Sequence, residues 1–256
     1  MTTSDATDYC LPDDYHSQPI PPMVSENIRA EQYWTPKRIR LSSRYQYDVY
    51  RVAREIADSN EGRPTIYDIG CGPATKLMRF FGAEFNVIGF DRPEAISYCR
   101  RTYRRGTFVE VDLDNTCRLH APDIPPADIV ICADVIEHLQ RPERLIATMI
   151  ALAGNSGTII ISTPERDRLR GPSNRKPTNP EHIREWNATE FSQFLNRCGL
   201  EVVQHSIQPQ LLPGASFIAW RWIFGQWLAG RSHHTNQVAV CRTKRQVTPS
   251  DAGTTK

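Results

Sequence analysis

Thr65-Ile-Tyr-Asp-Ile-Gly-Cys-Gly72 runs from mostly apolar, β-favouring residues into an acid and two glycines. Beyond it, Leu77, Phe80 and Phe81 suit one face of a helix. A strand that stops at glycines and turns into a helix forms a cradle for an anion or a nucleotide. Glycine there lets the backbone approach a ligand where a Cβ would collide. The G-x-G-x-x-G spacing of dinucleotide sites is incomplete, because Thr75 stands where the third glycine belongs. Asp68 comes two residues before Gly70, which makes the pattern D-x-G-x-G.

Outward from this turn the chain alternates strands and helices. Phe85 to Asp91 reads as a second strand ending in an acid, at the distance where such folds place a carboxylate on ribose hydroxyls. The same Asp91 also suits a helix N-cap ahead of Pro93. A helix around Glu94 to Arg104 leads to a third strand, Thr107 to Asp114. Asp112 at its end is either an acceptor for an adenine amine, with Leu113 on the ring, or a solvated turn acid. Ala127 to Leu139 opens with a nearly continuous apolar run, as in a strand buried on both faces, and closes on Asp134, Glu137 and His138. Pro142 to Ala153 reads as a helix and Gly157 to Pro164 as a fifth strand. Asn187 to Cys198 is a capped helix, Leu200 to Ile207 a sixth strand and Asn236 to Arg242 a seventh, the last two able to pair as an antiparallel edge.

The remaining segments are less regular. Residues 1–24 read as an irregular, proline-dotted arm and residues 243–256 as a polar tail. Residues 25–58 read as a helical extension, either packed on the sheet or a lid that offers Tyr33, Trp34, Arg40, Arg44 and Tyr45 to a ligand. The domain proper spans 59–242, with acceptor-side segments at 165–186 and 208–232. The first of these is a long polar loop with Arg166, Arg168, Arg170 and Arg175, read as solvated or as greeting an anionic acceptor. The second includes an aromatic stretch, 211–230, interrupted by Pro213, Arg221 and Gln226 and so poorly suited to span a membrane. It suits sheet-edge packing, the wall of an apolar pocket, or peripheral membrane contact.

With 256 residues and a net charge of +2, the chain fits one large α/β domain and gives no case for a nucleic-acid partner. Seven cysteines without a C-x-x-C pair read as reduced thiols of a cytoplasmic protein. The first residues lack a basic start followed by an apolar run, so no signal peptide is expected.

Taken together, Asp68-Ile-Gly-Cys-Gly72, Gly89-Phe-Asp91, Val111-Asp112 and the Asp128–Leu139 run resemble the successive motifs of class I S-adenosylmethionine-dependent methyltransferases. The resemblance implies a Rossmann-like, mostly parallel seven-stranded sheet of order 3-2-1-4-5-7-6, its last strand antiparallel. It implies S-adenosylmethionine (SAM) as cofactor, with Asp68, Gly70, Cys71 and Gly72 at the methionine end, Asp91 on the ribose, Asp112 and Leu113 at the adenine, and Asp134 between cofactor and acceptor. Glu137-His138-Leu139, Ser162-Thr-Pro164 and His182-Ile-Arg-Glu-Trp186 resemble the small-molecule branch that contains ubiquinone-biosynthesis O-methyltransferases. Small-RNA 2′-O-methyltransferases of this shape hold a divalent ion with E-x-x-E-H and a distant His. Here the similar set is Asp134, Glu137, His138 and His182, with Asp in the first place.

A hydroxyl acceptor must be aligned with the methyl carbon and sulfur and must lose its proton. His138 is the candidate base, tuned near neutral pH, with Asp134 as second catalytic candidate. A bound Mg²⁺, Mn²⁺ or Zn²⁺ would instead lower the hydroxyl pKa. The expected function is O-methylation of a small metabolite. The alternatives are 2′-O-methylation of a terminal RNA ribose and a non-catalytic SAM-binding subunit. Oligomeric state is not legible.

Overall fold

A computed structural model describes residues 9–18, 34–114, 124–212, 217–228 and 232–244. Tyr33, residues 25–32, most of the arm and nearly all of the tail lie outside the described residues.

The elements in chain order are α1 (Pro36–Ser42), α2 (Tyr47–Ser59), β1 (Thr65–Ile69), α3 (Thr75–Phe80), β2 (Asn86–Asp91), α4 (Pro93–Thr102), β3 (Thr107–Glu110) and β4 (Ile129–Ala133). A 3₁₀ turn (Ile136–His138) follows, then α5 (Pro142–Ala153), β5 (Thr158–Pro164), α6 (Arg166–Arg170), α7 (Ala188–Arg197), β6 (Leu200–Pro209), α8 (Phe217–Leu228) and β7 (His234–Thr243). The seven strands form one sheet of order β3-β2-β1-β4-β5-β7-β6. β1, β2, β3, β4 and β5 are parallel, and β7 is antiparallel to both β5 and β6. The expected Rossmann-like topology is therefore the one observed. Because β1 reverses the winding direction between β2 and β4, its carboxyl end opens on the crevice where such sheets bind ligands.

Alternating side chains of the central strands feed two cores. Tyr67, Ile69, Val130, Cys132, Ile159 and Ile161 point to one face, under Leu145 and Met149 of α5 and Phe191 and Phe194 of α7. Ile66, Ile129, Ile131 and Ile160 point to the other, under Val49 and Ala53 of α2, Leu77 of α3 and Ile96 of α4. Helix α7 starts on a capping box: the Asn187 side chain accepts from Glu190 N, and the Glu190 side chain accepts from Asn187 N.

Two segments differ from the sequence expectation. The helical extension is broken at Gln46, which takes a left-handed conformation (φ 51°) between α1 and α2. The polar loop after β5 opens with helix α6, and Arg166, Arg170 and Arg175 are tied to carboxylates while Arg168 is exposed. Arg166 is buried and makes two bonds to the Glu190 carboxylate at 2.7 and 2.8 Å. Arg170 pairs with buried Glu185, and Arg175 pairs with Asp14. The described part of the arm, residues 9–18, is irregular but docked, with Leu11 and Tyr15 buried. Trp186 Nε1 donates to Tyr9 O, Glu185 N donates to the Tyr15 hydroxyl, and Gln18 Nε2 donates to the carbonyls of Asn179 and His182. Residues 9–18 thus strap down residues 175–186.

Candidate active site

The glycine turn after β1 needs its glycines. Gly70 has φ +77°, and a Cβ there would overlap Val135 Cγ2. Gly72 has φ +54°, and a Cβ would stand 3.0 Å from the Trp34 ring. Both conformations are of the kind that disfavours other residues. Gly72 N donates to Asp91 Oδ2 at 2.7 Å, so the first turn and the end of β2 are tied directly. Asp91 Oδ1 accepts from Arg92 N, and spare lone pairs on both oxygens remain for hydroxyl donors.

Asp68 is fully buried beneath this turn. Its Oδ2 accepts from the Tyr50 hydroxyl at 2.8 Å, while Oδ1 is buried with no hydrogen-bond partner. Burial pushes its carboxyl up to about 7, against the opposing pull of Tyr50 and Lys76. Lys76, half-buried nearby and pushed down to about 8 by desolvation, donates to Ser42 O and to Gln46 Oε1. Gln46 Nε2 in turn donates to Asp134 Oδ2 at 3.0 Å. The break between α1 and α2 is therefore what brings an amide to the carboxyl end of β4.

One cavity of about 190 Å³ joins Trp34, Gly70, Gly72, Asp91 and Leu113 to Val135, His138 and Glu181. Ligand sites commonly run to roughly 300–1,000 Å³, so the Trp34 ring over Gly72 partly fills the space. Of the lid candidates in the described residues, Trp34 lines this cavity while Arg40, Arg44 and Tyr45 do not. Asp112 lines a neighbouring cavity with Arg92, Glu94 and Val111, and its Oδ1 accepts from Asp114 N. Cys71 packs behind the turn in the apolar core, against Gly89, and does not line the cavity.

At the far end, the four expected metal-ligating residues divide. Glu137, His138 and His182 bring one ligand atom each within 4.8 Å of one another. Asp134 is not of this group. Its φ of +53° turns the backbone out of a helical path, and its Oδ1 accepts from Ser162 Oγ at 2.6 Å.

The cluster is organised by its neighbours. Glu137 Oε2 accepts from Thr163 Oγ1, and buried Oε1 has no hydrogen-bond partner. His138 Nδ1 lies 2.6 Å from Glu181 O, and His182 Nδ1 lies 2.5 Å from Glu185 Oε1. A carbonyl and a carboxylate accept, so each Nδ1 carries the proton and each Nε2 presents a lone pair. Those Nε2 atoms stand 3.9 and 4.0 Å from Glu137 Oε1. Asn179 Nδ2 occupies the His182 Nε2 lone pair at 2.8 Å. Burial pushes His138 down to about 4, below the near-neutral range expected of an acid–base group, which keeps its imidazole neutral.

Tyr50, Gln46, Thr163 and Glu185 were not legible as site residues. Neither was Asn236 at the start of β7, which is buried facing Asp134 with both amide atoms unbonded. Only the acid–glycine pattern at β1 hinted that something must hold Asp68.

A family profile described as a methyltransferase domain matches residues 41–205. A Mycolicibacterium smegmatis protein named "Probable S-adenosylmethionine-dependent methyltransferase" is 30% identical over 184 residues, covering 72% of this chain and 63% of that one. A ubiquinone biosynthesis O-methyltransferase from Rickettsia felis is 25% identical over 125 residues, covering 49% of this chain and 50% of that one. The chain thus spans less than two thirds of the length of these relatives. Among solved structures, a chain from the complex of the Haloferax volcanii Trm112 methyltransferase activator with a methyltransferase superposes with a TM-score of 0.63 at 14% identity, covering 85% of this chain and 97% of that one. A TehB-like SAM-dependent methyltransferase from Corynebacterium glutamicum gives a TM-score of 0.54 at 20% identity, covering 88% of this chain and all of the other (100%). These two likenesses speak for the fold, and the profile match, together with the D-x-G-x-G turn on β1, speaks for descent: the chain belongs to the class I SAM-dependent methyltransferase family.

Proposed function

We propose that this protein transfers the methyl group of SAM to a hydroxyl of a small metabolite, such as a quinone precursor, a sugar or a secondary metabolite. The observation that carries the reading is the single cavity running from Gly70, Gly72 and Asp91 to His138. It puts a donor cradle and a polar, imidazole-bearing wall in one space.

The residues fit the cofactor. Asp68 Oδ1 is a buried acceptor without a partner, suited to an ammonium group directly or through water. Asp91 suits a ribose diol, and Leu113 an apolar ring face. The chemistry SAM supplies when bound is an activated methyl on a sulfonium. The chain's share is to align the acceptor oxygen with it and to exclude water, which Trp34 and Val135 do as cavity walls.

The residues also fit a divalent cation. Glu137 Oε1, His138 Nε2 and, with Asn179 Nδ2 displaced from it, His182 Nε2 would hold it, a carboxylate with two imidazoles, and it would lower the pKa of an acceptor hydroxyl. His182 carries the outer carboxylate, Glu185, that metal-bound histidines commonly show. Asp134, Gln46 and Asn236 then remain to orient the acceptor.

The test is thermal denaturation with S-adenosylhomocysteine or NAD, followed by transfer from labelled SAM to a panel of hydroxylated metabolites and to small RNA. Stabilisation by S-adenosylhomocysteine alone and label in a metabolite are expected. Label at an RNA terminus, or binding without transfer to any acceptor, would move the assignment to one of the alternatives.

A further inference from the structure

We infer that helix α8 and the basic segment around α1 form a docking surface for an anionic lipid bilayer. On α8, Trp220, Phe224, Trp227 and Leu228 are 56%, 56%, 69% and 66% exposed. Their spacing of four, seven and eight residues from Trp220 places them along one helical stripe. The Phe224 and Trp227 rings stack at 5.6 Å. Isolated exposed apolar residues are ordinary, but a contiguous aromatic stripe marks a contact surface.

The charge around this stripe is one-sided. From Val202 to Ser250 the sequence contains no Asp or Glu, although the whole chain carries 29 acids against 31 Lys and Arg. The segment from Trp34 to Tyr47 also lacks acids and carries Lys37, Arg38, Arg40 and Arg44. Lys37, Arg38 and Arg40 are exposed, as are Leu41 and Tyr45 beside them.

The two segments are fastened at their roots. Tyr45 and Leu211 form an antiparallel bridge, Leu212 N donates to Arg44 O, and Gln46 N donates to Gln210 O, both at 3.0 Å. This clip sets the chain leading into α8 against the end of α1.

Aromatic residues with Lys and Arg are what the interface of an anionic bilayer selects. No helix among the described residues is long and apolar enough to cross a membrane, so α8 would lie on the surface. A second copy of the chain fits less well. A lone stripe of α8, 12 residues or about 18 Å long, offers little of the ~1,200 Å² that a stable dimer buries, and pairing would set cationic segments together. The inference is independent of which acceptor is methylated.

The test uses the full chain with phosphatidylcholine vesicles, with and without phosphatidylglycerol. Co-sedimentation and a blue shift of tryptophan emission are expected only with phosphatidylglycerol, weakening as salt rises. Phe224→Ser/Trp227→Ser should lower partitioning at least about tenfold, and Lys37→Glu/Arg40→Glu should do the same. Both pairs are on exposed positions, and an unchanged S-adenosylhomocysteine-induced thermal shift would show that the fold is intact. Absence of binding to anionic vesicles, or undiminished binding by both variants, would overturn the inference. So would a dimer in solution abolished by Phe224→Ser/Trp227→Ser without vesicle binding by the parent.

Discussion

The Tyr50 hydroxyl on α2 donates a hydrogen bond to Asp68 Oδ2 on β1 at 2.8 Å and leaves Oδ1 buried and unbonded. A half-satisfied carboxylate under the glycine turn costs stability until a donor arrives.

That cost should show in the pH dependence of stability. Burial raises Asp68 from 3.8 to about 7. An acid held above its unfolded value contributes fully below that value, and the contribution is lost as pH rises through the folded one. The ligand-free protein should therefore weaken between about pH 4 and pH 7 by up to about 4 kcal/mol from this group. Asp68→Asn should flatten that slope in denaturant titrations at a series of pH values, and should lose the stabilisation given by S-adenosylhomocysteine. A slope unchanged by the substitution would place the cost elsewhere.

Gly70→Ala meets two obstacles, the φ of +77° and the Val135 side chain. A loss of about 1–3 kcal/mol in denaturant midpoint experiments is expected, with cofactor binding impaired. Adding Val135→Ala should recover the steric part and leave the backbone part. Full recovery would show that only space was at issue.

The metal reading is checked by calorimetry with Mn²⁺ on the protein without SAM. His182→Ala should abolish binding, and Glu185→Gln should weaken it about 10–100-fold through the imidazole it orients. Asp134→Asn should leave binding as it is, because Asp134 is bonded to Ser162 and Gln46 instead. Loss of Mn²⁺ in Asp134→Asn would restore the four-residue set.

Arg166→Met removes a guanidinium that is 1% exposed and bonded twice to Glu190. Breaking a buried pair from one side costs about 3–5 kcal/mol, and thermal denaturation should show a loss of that order. A merely solvated loop arginine would give almost none.

The sheet was legible because its strands announce themselves locally. Apolar runs end at Asp68, Asp91 and Asp134, and strand ends are where α/β folds keep ligands. Pairs that close over long stretches of chain were not. Gln46 and Asp134 are 88 positions apart, and Arg166 and Glu190 are 24, so no periodicity links them. The near-neutral tuning expected of His138 depends on its surroundings, which the sequence does not report: desolvation and the neighbouring His182 both lower it. The resemblance grouped Asp134 with Glu137, His138 and His182, yet its positive φ and its bond to Ser162 set it apart from them.

The strap of residues 9–18 has a consequence in time. Its bonds to the His182 loop join residues 161 to 177 positions apart, among the most distant hydrogen bonds of the described residues. Contacts of such separation form slowly, after the local ones. A newly made chain would assemble its glycine cradle first and its histidine pair last, so cofactor recognition should mature before the opposite wall does.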